Sequence, residues 1–196
     1  MGKILCYIYE DMADYEVSLV LHYLRNIGKY EVVAISEEKK LLNAQTGLQF
    51  VPDMSIAEWK QTEVPEEYDA LIIPGGPINH QQNQICDVIR AMANAGKLVA
   101  AICFGPQFLA RAGVLEEYAY TTSCSADMIQ EWGYVDSFPR GNYQENRCVV
   151  DRNVITAQGH AFVDFAEAVC DYLEIFESPK QRQELFGRIV EIQQWK

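Results

Sequence analysis

The sequence predicts an α/β protein, a three-layer sandwich built on a mostly parallel central sheet. Three observations carry that prediction. Fully apolar runs of strand length recur along the chain, as expected for strands buried on both faces. Helix-like segments ending in glycine separate them, and that alternation implies right-handed βαβ units. The chain of 196 residues, 49% hydrophobic and 22% charged, is long enough to bury the core such a sandwich needs, and it reads as one domain over residues 1–196.

KILCYIY (Lys3–Tyr9) is the first strand, followed by the polar turn EDMAD. Tyr15, Leu19, Leu21 and Leu24 fall roughly on one face of a helix that stops near Gly28. YEVVAIS is the second strand. LLNAQTGLQFVPDMSI places a Gly47 turn between two short extended pieces, a hairpin or excursion. YDALIIPGG is a buried strand ending in Gly75 and Gly76, and QQNQICDVIRAMANAG is a helix closed by Gly96. KLVAAIC is the next buried strand, and FGPQFLARAG the helix after it. CVVDRNVITAQG forms two strands about an Asp151–Asn153 turn and leads into the helix HAFVDFAEAVCDYLE. A last helix begins at Ser178, a good N-cap, with Pro179 in its first turn.

Composition limits the partners. Sixteen basic against 28 acidic residues leave a net charge of −12, which disfavours nucleic acid and anionic membranes. No apolar run reaches the roughly 20 residues a membrane span needs, and no stretch has the order of a signal peptide. The six cysteines include no close C-x-x-C pair and, without an export signal, read as reduced thiols in a cytoplasm. Neither cysteines nor histidines fall at zinc-ligand spacing, so no metal or other cofactor is expected.

Sites in open α/β sheets lie at the carboxyl ends of the strands. Three candidates fall there: Gly75-Gly76, Cys103, and the start of the first helix around Glu16. A nucleophile elbow needs small residues two places before and after the nucleophile, and Ala101 and Gly105 meet that requirement around Cys103. At the head of the following helix, Cys103 would feel a partial positive charge that favours thiolate. The N–H of Phe104, with that of Gly75 or Gly76, would then form an oxyanion hole.

AAICFGPQFLARAGVL at the elbow, DALIIPGGP at the preceding strand end, DYEVSLVLHYLR after the first strand and VVDRNVITAQG resemble the ThiJ/PfpI family, the superfamily of the Parkinson-linked deglycase. The similarity runs in order from about Lys3 to Leu173. It implies a flavodoxin-like sandwich, one also shared by class I glutamine amidotransferases. It implies too a reactive Cys103 with Glu16 beside its sulfur, and a homodimer. A carboxyl group next to a thiolate tends to keep its proton and can then donate to the sulfur or to a sulfinate.

Where many members of the family have a histidine after the cysteine, this chain has Phe104, which takes no proton. The isonitrile-hydratase branch also lacks that histidine. Hydrolytic relatives similar to PfpI carry a glutamate four places after the second glycine, lent to the neighbouring subunit. Here that place is His80, a candidate base for the partner subunit's Cys103. His160, in AQGHAFVDFAE, follows a strand and opens a helix, and is the candidate base within one subunit. The glutaminase triad is not reproduced, because Phe162 stands where its glutamate would be. Ser123 and Cys124 are expected to border the pocket, with Cys124 a second thiol near Cys103. Tyr15 and Trp132 are expected in the core or the pocket wall.

These residues imply a cysteine-dependent hydrolase or hydratase of a small-molecule substrate. The alternative is a redox-sensing or stress-response protein whose Cys103 oxidises to sulfinate; a glutamine amidotransferase-like ammonia donor comes third.

Overall fold

The computed structural model describes residues 1–62, 65–78 and 84–191. Its centre is a seven-stranded sheet. In chain order the elements are β1 (Lys3–Tyr7), α1 (Tyr15–Asn26), β2 (Glu31–Ser36), β3 (Leu42–Asn43), β4 (Gln49–Phe50), β5 (Met54–Ser55), α2 (Ile56–Thr62), β6 (Ala70–Ile73), α3 (Ile85–Asn94), β7 (Leu98–Ile102), α4 (Pro106–Arg111), α5 (Ala126–Glu131), β8 (Cys148–Asp151), β9 (Val154–Ala157), α6 (Phe162–Tyr172) and α7 (Pro179–Glu191). The strand order is β5-β2-β1-β6-β7-β9-β8, and β3 with β4 forms a separate antiparallel pair.

Every pairing in the large sheet is parallel except that of β8 with β9 at one edge. β6 (ALII), β7 (LVAAI) and β9 (VITA) are buried along their whole length, because helices cover both faces of the sheet. α1 packs on α6 and α6 on α7, whereas α3 packs on α4 and α2 on α3. Successive strands run outward from β1 to β2 and then return to its other side with β6. The order reverses between β1 and β6, so their carboxyl ends frame a crevice. α1 leaves β1 on one side of it, and β7 enters α4 on the other.

The hairpin around Gly47 forms as expected, with φ of +85° at that glycine. Its Thr46 hydroxyl donates to Asp14 Oδ2 at 2.5 Å, which fastens the hairpin to the start of α1. The sequence-based face of α1 needs correction. Tyr15 is half exposed, and the buried side carries Glu16, Val17, Val20 and Leu24 instead. The helix is therefore seated about one residue round from the expected stripe, which turns an acidic side chain inward. The short helices α2 and α5 were not read from the sequence. α5 starts at Ser125, whose Oγ accepts the Met128 N–H. Among the described residues no helix is long and apolar enough to cross a membrane.

Candidate active site at the β7 elbow

Cys103 follows β7 with φ of +63°, in the left-handed region that a residue with a Cβ enters at a cost. Three backbone contacts hold it there. Its N–H donates to Ala157 O at 2.8 Å, at the end of β9. Its carbonyl accepts from the Ser123 N–H at 3.0 Å and the Thr122 hydroxyl at 2.7 Å. The tight exit into α4 requires Gly105, where a Cβ would lie 2.8 Å from the carbonyl oxygens of Ile102, Ile73 and Pro74.

Glu16 reaches the same point from the first turn of α1. It is fully buried, and its Oε2 accepts the Gly75 N–H at 2.8 Å. The Tyr15 hydroxyl donates to its Oε1 at 3.4 Å. The Glu16 carboxyl lies beside the Cys103 sulfur, close enough for each to act on the other's charge. Two glycines allow this approach. A Cβ at Gly75 would stand 2.5 Å from both Cys103 Cβ and Glu16 Oε2, and one at Gly159 would stand 2.9 Å from both Cys103 Sγ and Glu16 Oε1.

Burial pushes the Glu16 carboxyl above its ordinary range, against hydrogen bonds from Cys103, Gly75 and Tyr15 that pull it back. Facing an ionised Glu16, the Cys103 thiol is pushed up to about 12, by burial first and then by the carboxylate's charge and hydrogen bond. The Ser123 side chain and the Phe104 N–H favour charge on the sulfur, while Gly75 and Tyr15 favour it on the carboxylate. Two negative charges at hydrogen-bond distance oppose each other, so the groups titrate as a pair that holds one proton in common across neutral pH. This revises the electrostatics read from the sequence. α4 is only six residues long, and its dipole is outweighed by burial and by Glu16.

Gly75 and Phe104 were expected to supply an oxyanion hole. The Gly75 N–H is engaged by Glu16, and the Phe104 N–H faces the Cys103 sulfur. Gly76 backs onto Tyr9, whose Oη would lie 2.7 Å from a Cβ there. His160 is exposed and lies near Asp164 of α6, a carboxyl held low chiefly by hydrogen bonds from Arg147. No hydrogen bond joins His160 to Cys103 or Glu16 among the described residues. His80 lies outside the described residues. Phe104 packs against Trp132 at 6.0 Å between ring centroids, and the half-exposed Tyr15 meets Phe162 edge-on.

Two contributors were under-read in the sequence. Ser123 favours charge on the sulfur and accepts the Gly159 N–H at 2.8 Å; its sequence position points only to the pocket's border. Gly159 carried no role at all, although it directly precedes His160. Cys124, by contrast, is buried, and burial pushes its thiol up to about 11. No cluster of His, Cys, Asp or Glu suited to a metal ion occurs among the described residues.

The model of the DJ-1/PfpI family matches residues 2–172. A Pyrococcus furiosus protein named deglycase PfpI is 33% identical over 153 residues, covering 74% of this chain and 89% of its own. A Caenorhabditis elegans protein named a glutathione-independent glyoxalase is 26% identical, covering 84% of each chain. The crystal structure of a DJ-1 superfamily protein from Agrobacterium tumefaciens superposes with a TM-score of 0.81 at 27% identity, over 98% of this chain and all of the other.

Proposed function

Because the chain belongs to the DJ-1/PfpI family, we propose that it is a cysteine-dependent hydrolase or hydratase acting on small carbonyl compounds through Cys103. The observation that carries this reading is the buried Glu16 carboxyl set beside a sulfur at a strained elbow. The pair supplies nucleophile and proton carrier together, so the histidine missing after Cys103 is not needed. The names of relatives, deglycase and glyoxalase, support a carbonyl substrate.

For a 2-oxoaldehyde the sequence of steps balances as follows. Sγ bonds to the aldehyde carbon while the carbonyl π electrons move onto its oxygen, which takes the proton held by the pair. Glu16, now the carboxylate, removes the proton on that carbon and returns it to the neighbouring carbon, while the hydroxyl proton passes to the neighbouring oxygen, leaving the thioester of a 2-hydroxy acid. Water cleaves the thioester and the thiol is restored. The net change is addition of one water, giving a 2-hydroxy acid. Tyr15 donates to Glu16 and meets Phe162 edge-on, and rings so close to the carboxyl favour a small substrate.

Incubation with methylglyoxal, followed by proton NMR, tests this. The wild type is expected to produce lactate, and Cys103→Ser to be slower by at least about a hundredfold. Equal lactate production by the two proteins would overturn the assignment. The same donors around the sulfur also suit a sulfinate, which favours redox sensing as a second reading. Protein that gains two oxygens at Cys103 under mild peroxide, yet turns over no carbonyl substrate, would establish that reading in its place.

A further inference from the structure

We propose that the cavity between α4 and the segment following α5 is a second small-molecule site, separate from the Cys103 site, for a small planar carboxylate such as an aromatic acid. The cavity measures about 230 Å³, and neither Cys103 nor Glu16 lines it. An apolar cavity of about 150 Å³ is enough to hold a benzene ring, so this one admits a ring bearing a carboxylate.

The lining sorts into two parts. Ile129, Tyr134 and Phe138 give an apolar and aromatic side, whereas Gln107, Arg111 and Ser137 supply polar groups. Arg111 is the only charged residue among the described lining residues, in a chain of net charge −12. The ligand's charged end is therefore negative. Arg111 is also held in place: its guanidinium lies 4.9 Å from the Phe108 ring centroid, and its Nη2 donates to Gln107 Oε1 at 3.3 Å. Gln107 is braced in turn by donating through Nε2 to Pro77 O at 3.1 Å. A planar guanidinium fixed in this way suits the two oxygens of a carboxylate. Burial works against the Arg111 charge. On the apolar side, Phe138 is fixed by Arg140 over its ring at 4.7 Å and by stacking on Tyr120 at 5.7 Å. The ring slot is thus formed before a ligand arrives.

Titration calorimetry with benzoate, and with benzyl alcohol as a neutral molecule of similar shape, tests the proposal. Benzoate is expected to bind the wild type saturably and at least about tenfold more tightly than benzyl alcohol. Arg111→Met is expected to weaken benzoate by at least about tenfold, and Cys103→Ser to leave it unchanged. Equal affinity for the two probes, or no saturable binding of benzoate, would overturn the proposal without recourse to any variant. Loss of binding in Cys103→Ser would overturn it by assigning the benzoate to the elbow. Because the readout is binding at a site that excludes Cys103, its failure leaves the carbonyl chemistry untouched.

Discussion

Among the described residues, five other than glycine hold a positive φ, and the elbow differs from the other four in what surrounds it. Asp11, Lys29, Arg152 and Glu174 are all exposed. Lys29 and Glu174 sit just beyond helix ends, where a left-handed residue lets following N–H groups return to the last turn; Tyr30 N donates to Leu24 O at 3.0 Å and Ile175 N to Cys170 O at 3.2 Å. Nothing chemical depends on those side chains. Cys103 has the same backbone conformation but is enclosed by Gly75, Gly159, Glu16 and Ser123. At the helix ends the strain is local and replaceable. At the elbow it is imposed from three strand ends at once, and it aims a sulfur at a buried acid.

The largest expected effect that tests this contrast comes from the glycines. Gly159→Ala would place a Cβ 2.9 Å from both the sulfur and Glu16 Oε1, between two groups that have little room to retreat. Overpacking of this kind costs about 1–3 kcal/mol, measurable by urea unfolding, and it should also separate the Cys103–Glu16 pair. Gly141→Ala is the control: nothing lies within 4 Å of its added Cβ, so its effect should stay within about 0.5 kcal/mol. If Gly159→Ala proved as mild as Gly141→Ala, the elbow would be no tighter than a surface turn.

The next effect concerns charge. Glu16→Gln removes the carboxylate charge and hydrogen bond that raise the Cys103 thiol. Alkylation of Cys103 by iodoacetamide at pH 7 should then quicken by about tenfold or more. Slower alkylation would show instead that the sulfur ionises only by handing its proton to Glu16. Stability moves with pH in a fixed direction. The folded state holds the Glu16 proton above its ordinary value near 4.5, so the wild type loses stability as pH rises through the folded value. Glu16→Gln has no such loss. Its advantage in melting temperature should therefore be smallest near pH 4 and should grow toward pH 8, read by calorimetry.

The same contrast explains what could be read from the chain beforehand. The alternation of strands and helices was legible because β6, β7 and β9 are buried on both faces and so read as continuous apolar runs. The elbow was legible because Ala101 and Gly105 are small for a local reason, one tight turn. Glu16 had a local signal as well, since it shares a helical face with Val20 and Leu24; the stripe drawn through Tyr15 and Leu21 obscured it. Ser123 and Gly159 were not legible as partners of the sulfur. They reach it only because the chain after β7 and the end of β9 converge there, and no spacing in the sequence encodes that distance. The thiol's electrostatics misled for a related reason: a helix start is visible in sequence, whereas the burial that outweighs it is a property of the packed site.

The smallest effect isolates the backbone itself. A left-handed conformation costs a residue with a Cβ about 1–2 kcal/mol relative to glycine, part of which glycine returns through its greater freedom in the unfolded chain. Glu174→Gly should accordingly be more stable than Glu174→Ala by about 1 kcal/mol, because the exposed turn gives the Cβ nothing in return. At the elbow, Cys103→Gly and Cys103→Ala both lack the sulfur and differ only in that methyl group. There the Cβ packs against Gly75 and Gly159, so removing it relieves strain but also gives up contacts. The gain from glycine should be smaller than at Glu174, by about 0.5 kcal/mol, in paired urea unfolding curves. A gain at Cys103 equal to that at Glu174 would mean that the walls of the elbow contribute nothing to the Cβ they enclose. The conformation would then be held by its backbone hydrogen bonds to Ala157, Thr122 and Ser123 alone.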